Sequence, residues 1–324
     1  MDGNPFSQKG NWYKGNLHSH TTLSDGSASA EEMASGYKAV GYDFLAITDH
    51  NVIGDIPVER ADEEDFIVIP GAEIQVLCNG SWGCELLALD VPDLPGEKTG
   101  DRWDDFIPPP IQSAIDCVVD MGGIPFLSHP NISGLHSTRL MELEHLAGIE
   151  ICNYCAGGRY LSTVHWDDAL TAGKMLWGIA VDDAHGVPSP VVPRAWVVVR
   201  SVALTRQALL DAIRHGWFYA TTGPQITDLQ IRGGEVTVKT TPVRCIEFVS
   251  GPWFCQTFRD LDRGLITQAT HQIERLGTRQ NMQDLLAKSK QAGLLSTDQP
   301  FGGYFRVECV DAQGRWAWTN PIAI

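Results

Sequence analysis

Asn16-Leu17-His18-Ser19-His20-Thr21-Thr22-Leu23-Ser24-Asp25-Gly26 sets two histidines at i and i+2, with a carboxylate five residues after the second. Side chains along a strand alternate between faces, so His18 and His20 project from the same one. Two imidazoles beside an aspartate begin a site for a borderline-soft divalent metal. An isolated His-x-His arises readily by chance; this one gains weight from the ligand-type residues that stand at later strand ends. Phe44-Leu45-Ala46-Ile47 reads as a buried strand and runs into Thr48-Asp49-His50. Phe66-Ile67-Val68-Ile69 runs into Pro70-Gly71-Ala72-Glu73, and Glu85-Leu86-Leu87-Ala88-Leu89 is a third apolar segment. Ile124 to Leu127 leads to Ser128-His129-Pro130, and Gly148-Ile149-Glu150-Ile151-Cys152 leads to Asn153. Met175 to Val181 delivers Asp182-Asp183-Ala184-His185-Gly186. So many polar residues at successive strand ends are costly to bury unless they pair or bind metal.

Helix-like segments separate these strands. Ser29 and Glu32 form a capping box ahead of Met33, Tyr37 and Val40, and Gly41 stops that helix. Residues 111–121 place Ile111, Ile115 and Val118 on one helical face. Ser162 is expected to cap a segment ending near Gly173, and Thr205 one through Ile213, closed by Gly216. The alternation predicts an α/β fold with a mainly parallel sheet, with the chemistry at the C-terminal strand ends. Residues 1–222 would form that unit.

The pattern changes after Thr221-Thr222-Gly223-Pro224. Ile226 to Val238 and Arg244 to Ser250 alternate like strands, and Phe305 to Val310 faces Trp316 to Trp318 across Asp311-Ala312-Gln313-Gly314. Residues 223–324 therefore read as a small β-rich C-terminal domain, with polar Gln268 to Gln291 as a helical insertion. The Pro/Asp-rich stretch from Pro92 to Pro110 has no period; it reads as a surface excursion, with a rim or lid as the alternative. The acidic run from Glu59 to Asp65 reads as a solvated face.

A net charge of -16 argues against nonspecific binding to long nucleic acid, which needs a basic surface. It leaves small anionic substrates open, because bound cations reverse the local field. No run of 18 apolar residues predicts a membrane span, and Met1-Asp2-Gly3-Asn4-Pro5-Phe6 lacks the pattern of a secretory leader. A cytoplasmic location with reduced thiols is thus expected for the eight cysteines. Cys152-Asn153-Tyr154-Cys155 is formally C-x-x-C, with redox or zinc chemistry as the lesser reading; Cys152 ends an apolar run, which favours packing. His136, His145, His165 and His215 match no motif. No phosphate-cradling glycine loop, nucleophile elbow or dinucleotide fingerprint is present.

His-Ser-His with Ser-Asp-Gly, then Ile-Thr-Asp-His, Gly-Ala-Glu, Ser-His-Pro and Asp-Asp-Ala-His-Gly are similar, in order, to the motifs of the polymerase and histidinol phosphatase (PHP) superfamily of hydrolases. The resemblance covers residues 12–222. It points to the small phosphoesterase branch. Trp12-Tyr13-Lys14-Gly15-Asn16, Trp166-Asp167-Asp168 and Ala317-Trp318-Thr319-Asn320-Pro321-Ile322 point also to carbaryl hydrolase-like metallohydrolases. The resemblance implies a distorted seven-stranded TIM-like β/α barrel with its ligands at the C-terminal mouth.

By the same resemblance, His18, His20, Glu73 and Asp183 would hold a first metal. Glu73 would bridge to a second, also held by His129, and Asp25, His50 and His185 would hold a third. Glu85 departs from the pattern, since many relatives carry histidine there; either it is an oxygen ligand that hardens the second site toward Mn²⁺, or that site is weak. Two or three divalent ions are implied, with Mn²⁺ favoured and Zn²⁺ or Fe²⁺ as alternatives. The activity implied is hydrolysis by a metal-bridging hydroxide. The third site, or His185, would steady the leaving oxygen, Asp49 would orient an imidazole, and Asn153 would donate to substrate. Arg159 and Arg194 are the candidates for a substrate phosphate. The favoured substrate is a small organic phosphate or nucleotide. The alternatives are a carbamate, ester or amide hydrolase, and a noncatalytic metal-bearing module whose β-rich tail binds a partner.

Overall fold

The computed structural model describes residues 4–54, 62–63, 65–78, 81–250, 255–260, 264–272, 291 and 303–323. Its first part runs β1 (Asn11–Asn16), α1 (Ala30–Ala39), β2 (Phe44–Ile47), β3 (Phe66–Cys78), β4 (Ser81–Leu89), α2 (Ile111–Asp120) and β5 (Ile124–Leu127). It continues through α3 (Ser137–Glu142), β6 (Gly148–Asn153), α4 (Thr163–Thr171), β7 (Trp177–Val181), β8 (Trp196–Ser201), α5 (Arg206–Arg214) and β9 (Phe218–Thr221). The helix starts follow local chemistry. Ser29 and Glu32 cap α1 reciprocally, and the Thr205 hydroxyl accepts from Ala208 N at 3.3 Å. Ser162 stands before α4 but caps nothing; its hydroxyl accepts from Asn131 N at 3.1 Å.

The strands pair in the order β7-β6-β5-β4-β3-β2-β1-β8-β9. Pairs β1–β2, β2–β3, β5–β6 and β6–β7 are parallel. β4 is antiparallel to both neighbours, as are β8 to β1 and β9 to β8. Parallel pairing thus falls short of the expectation from alternating β and α segments. The closed seven-stranded barrel is also corrected. The strands trace an open path, because β1 spends one edge on β2 and the other on β8 and has none left for β7. One isolated parallel bridge, Ser19 with Ala184, joins the segments beyond the ends of β1 and β7, with His20 N donating to Ala184 O at 2.9 Å.

Alternation sorts each strand between two cores. Phe44, Ala46, Ile67 and Ile69 join Leu87, Phe126, Ile179 and the apolar face of α5 in one cluster. Leu45, Ile47, Phe66 and Val68 pack instead against Met33 and Tyr37 of α1. The mouth lies beyond the first core, where the polar strand ends gather.

The later strands are β10 (Ile226–Arg232), β11 (Glu235–Val243), β12 (Cys245–Val249), β13 (Cys255–Arg259), β14 (Ile266–Gln272), β15 (Tyr304–Val310) and β16 (Trp316–Thr319). The large sheet continues from β9 through β16, β15 and β12 to β13, while β10, β11 and β14 form a separate antiparallel sheet. β15 and β16 pair across a turn in which Asp311 accepts from Gln313 N and Arg315 N and Gly314 takes a φ of 79°. Of the expected helical insertion, residues 268–272 lie in β14, and residues 273–290 lie outside the described residues. Within the acidic run, 59–61 and 64 also lie outside them, and exposed Asp65 pairs with Lys38 at 2.7 Å. The uniform expectation of reduced thiols is corrected as well. Cys78 and Cys84 form a disulfide across β3 and β4, with their Cα atoms 6.2 Å apart. No described helix is long and apolar enough to cross a membrane.

Candidate metal centre

The residues just beyond β1, β2, β5 and β7 meet Glu73 of β3 and Glu85 of β4. β4 runs antiparallel to its neighbours, so its N-terminal half lies at the edge where the parallel strands end. Glu85 pairs there with Gln75, two residues past Glu73. His129 and Asp183 take φ values of 25° and 51°, in the left-handed region that costs a non-glycine residue about 1–3 kcal/mol. The chain therefore bends sharply where it presents these two side chains.

Four donor atoms converge at the centre. His18 Nε2 lies 3.0 Å from His20 Nε2, 3.1 Å from Glu73 Oε2 and 3.4 Å from Asp183 Oδ1. His20 Nε2 lies 3.4 Å from Glu73 Oε2 and 3.1 Å from Asp183 Oδ1. Donors bonded to one cation at about 2.1 Å in a tetrahedral array stand about 3.4 Å apart. Asp183 Oδ1, His20 Nδ1 and His50 Nδ1 are buried with no hydrogen-bond partner. A group of lone pairs facing one point, with buried atoms left over, fits a divalent cation.

Glu73 continues the array. Its Oε1 faces His129 Nε2 at 3.1 Å, and His129 Nε2 is 3.3 Å from Glu85 Oε2. His50 Nδ1 is 3.2 Å from Glu73 Oε2 and 3.6 Å from Glu85 Oε1. On its other side His50 Nε2 lies 3.7 Å from Asp25 Oδ2, which is 3.5 Å from His185 Nε2. His50 thus faces two groups of donors, where the resemblance put it in the third alone. His20, Asp25, His50 and His185 form one possible ligand group, and His50, Glu73 and Glu85 another.

Imidazoles and carboxylates of opposite charge crowd the centre. Burial disfavours charge on His18, yet Asp183, Glu73 and Glu150 outweigh it and hold its pKa well above the ordinary imidazole value. Burial likewise opposes charge on His129, and Glu73 and Glu85 raise its pKa all the same. His185 is raised to about 11 against burial, chiefly by Asp25. Burial opposes ionisation of Asp25 too, but the surrounding imidazoles lower it to about 2. The carboxylates are a concentrated negative charge, and protons on the imidazoles offset it.

Several expected roles move. Among the described residues Asp49 forms no hydrogen bond or ion pair with an imidazole. It accepts from Thr21 N at 2.7 Å, Thr21 Oγ1 at 2.8 Å and Ser24 Oγ at 2.6 Å, and so pins the loop that carries Asp25. Asn153 is not free to donate to substrate. Its amide donates to Glu150 Oε2 and Asp183 Oδ2 at 2.9 and 3.0 Å, and its Oδ1 accepts from Cys155 N at 3.1 Å. Arg194 is exposed, its Nε donates to Pro190 O at 3.0 Å, and its guanidinium lies 5.9 Å from the Tyr154 ring. Arg159 is exposed at the end of the short turn after β6. His136, His145, His165 and His215 are engaged away from the centre, with Thr138, Asp116, Leu135 and Asp211.

Glu150 and Trp103 escaped the sequence reading, and Cys155 was read chiefly as packing. Glu150, fully buried, accepts from His18 Nδ1 at 2.6 Å and from His129 N at 2.8 Å. Its trace is one carboxylate inside an apolar strand, Gly148 to Cys152. Trp103 stacks on His50 with centroids 5.4 Å apart, and Asn51 Nδ2 donates to Trp103 O at 3.2 Å. The Pro92–Pro110 segment therefore reaches the rim. Within it Glu97–Lys98 pairs with Phe106–Ile107. Cys155 lies beside Asp183 and His185, whereas Cys152 of the same C-x-x-C is buried in β6.

Among solved structures, a two-domain protein from Bacteroides vulgatus containing a predicted PHP-like metal-dependent phosphoesterase matches over 98% of this chain and 100% of its own, at a TM-score of 0.50 and 15% identity. The chain has a PHP-like fold. A curated relative, the DNA polymerase/3'-5' exonuclease PolX of Bacillus subtilis, is 36% identical over 84 residues, which span 21% of the PHP-like chain but 15% of PolX. The lesion-specific endonuclease PfuEndoQ of Pyrococcus furiosus is 12% identical, covering 63% of the PHP-like chain and 56% of its own, at a TM-score of 0.44. No family model matches the chain. None of these likenesses bears on the carbaryl hydrolase-like branch.

Proposed function

We propose that this chain is a metal-dependent hydrolase of phosphate esters, with a small organic phosphate or nucleotide as substrate. The observation that supports it most is the placement of Glu73, with one oxygen among His18, His20 and His50 and the other on His129. A carboxylate with both oxygens so engaged is suited to bridge two cations. His18, His20, Glu73 and Asp183 would hold one ion. Glu73, Glu85 and His129 would hold a second, and Asp25, His50 and His185 a third. Two oxygen donors favour Mn²⁺ in the second position. Bound divalent ions supply Lewis acidity and a water that ionises near neutral pH.

The chain's own residues do the rest. Glu150 fixes the His18 ring with Nε2 turned to the centre. Asn153 ties Glu150 to Asp183 and keeps both carboxylates in place. His185, a third exposed at the mouth, is the group best placed to face a leaving oxygen. Arg194, set over Tyr154 next to Asn153, is our candidate for the phosphate, and exposed Arg159 is the second. Trp103 walls the side of His50 and would flank a planar part of the substrate.

The test is a panel of aryl phosphate mono- and diesters, nucleotides, aryl carbamates, carboxylic esters and amides, assayed with Mn²⁺, Zn²⁺ or Fe²⁺ added. Phosphate-ester turnover that disappears with chelator and returns with metal supports the proposal. Turnover confined to carbamates, esters or amides would transfer the centre to acyl chemistry. Metal-loaded protein inert across the panel would favour a binding module.

A further inference from the structure

Cys155 is exposed in the turn that follows β6, yet its sulfur, a carboxylate oxygen of Asp183 and a ring nitrogen of His185 all lie within 4.8 Å of one another. A surface thiol meets two such groups by accident often enough that proximity alone decides nothing. A second observation points to a ligand. Asp183 Oδ1, which faces His18 and His20 across the centre, is buried without a hydrogen-bond partner and lies 3.7 Å from His185 Nδ1 on this side. A third concerns how the thiol is held. Asn153 donates to Asp183 Oδ2 at 3.0 Å and accepts from Cys155 N at 3.1 Å. One buried amide therefore fixes the carboxylate and the cysteine backbone relative to each other.

We propose that Cys155 is a metal ligand, its thiolate joining Asp183 and His185 at the outer edge of the centre and selecting a soft divalent ion there. This rests on the reading of the cluster as a metal centre and adds to it. Thiolate favours Zn²⁺, Co²⁺ or Cd²⁺, whereas the Glu73–Glu85 side offers oxygens that favour Mn²⁺. The centre would then hold unlike metals, hard on the β4 side and soft on the side of the turn after β6. Binding at Cys155 exchanges the thiol proton for the metal, with no change of oxidation state.

Cobalt titration of the full chain under mild reductant tests this. Wild type is expected to show visible Co²⁺ ligand-field bands together with a near-ultraviolet sulfur-to-cobalt charge-transfer band. Cys155→Ser should lose the charge-transfer band and keep visible bands, and Cys255→Ser, changed at another exposed cysteine, should keep both. Visible bands without charge transfer in wild type, or a charge-transfer band that survives in Cys155→Ser, overturns the thiolate ligand and leaves the metal centre standing. Absence of any cobalt binding overturns both. Should Cys155→Ser fold poorly, alkylation of wild type decides: Cd²⁺ should protect the peptide carrying Cys155, and equal labelling with and without Cd²⁺ overturns the proposal.

Discussion

At the residue scale the centre depends on shared groups. Glu73 contacts His18, His20, His50 and His129, so Glu73→Gln removes one charge from two positions at once. We expect at least about a hundredfold loss of turnover and a fall in bound metal by elemental analysis, with the fold retained by circular dichroism. Glu150 touches His18 only through its outer nitrogen. Glu150→Gln should therefore weaken metal affinity by about 10- to 100-fold without removing a ligand. Unchanged affinity in a calorimetric titration would show that His18 needs no such orientation. The raised pKa values of His18, His129 and His185 set a sign for pH. Below them the imidazoles carry protons that a metal must displace, so affinity should rise with pH and loading should release protons. Metal uptake in weakly buffered solution without acidification would contradict this.

Among elements, the reversed strand β4 matters most. Its direction brings Glu85 to the edge where β2, β5 and β7 deliver His50, His129 and Asp183. A parallel strand would have put position 85 at the far end. Glu85→His should shift metal preference from Mn²⁺ toward Zn²⁺, measured by competition, and unchanged selectivity would remove Glu85 from the ligand set. A second device joins β15 to α4. Arg306, 1% exposed, pairs with Asp167 and Glu308 at 2.6 Å each and lies 4.6 Å from the Trp166 ring. Arg306→Met leaves Glu308 buried without its cation, and about 3–5 kcal/mol of stability should be lost in denaturant unfolding.

On the scale of the whole molecule, the C-terminal segment does more than follow the first. β16 pairs with β9, and Asn320 accepts from Gly178 N at 2.9 Å while donating to Gly216 O and Phe218 O at 3.1 and 3.2 Å. Truncation after Thr222 would bare the β9 edge and strand those three backbone groups, each worth about 1–3 kcal/mol when buried unpaired. Residues 1–222 alone should therefore lack a cooperative thermal transition near that of the full chain, and an unaltered melting curve would show the first part to be self-sufficient. Activity in a folded fragment would still locate the chemistry in the first part.

The sequence by itself determined which imidazoles and carboxylates stand at the ends of the apolar runs, and in what order the chain delivers them. His18, His20, Asp25, His50, Glu73, His129, Asp183 and His185 were legible as candidates because they are ligand-type residues at those ends. Capping at Ser29 and Thr205 and the turn at Asp311 to Gly314 were legible too, being local. Only the tertiary structure decided what depends on pairing across the chain. It opened the sheet by giving β1 to β8, reversed β4, tied Asp49 to the Thr21–Ser24 loop instead of an imidazole, and tied Asn153 to Glu150 and Asp183. It also brought Glu150, Trp103 and Cys155 to the centre. Local periodicity records which face of an element is apolar; it carries no information on which edge an element will share, or on which distant side chain will fill the space that remains.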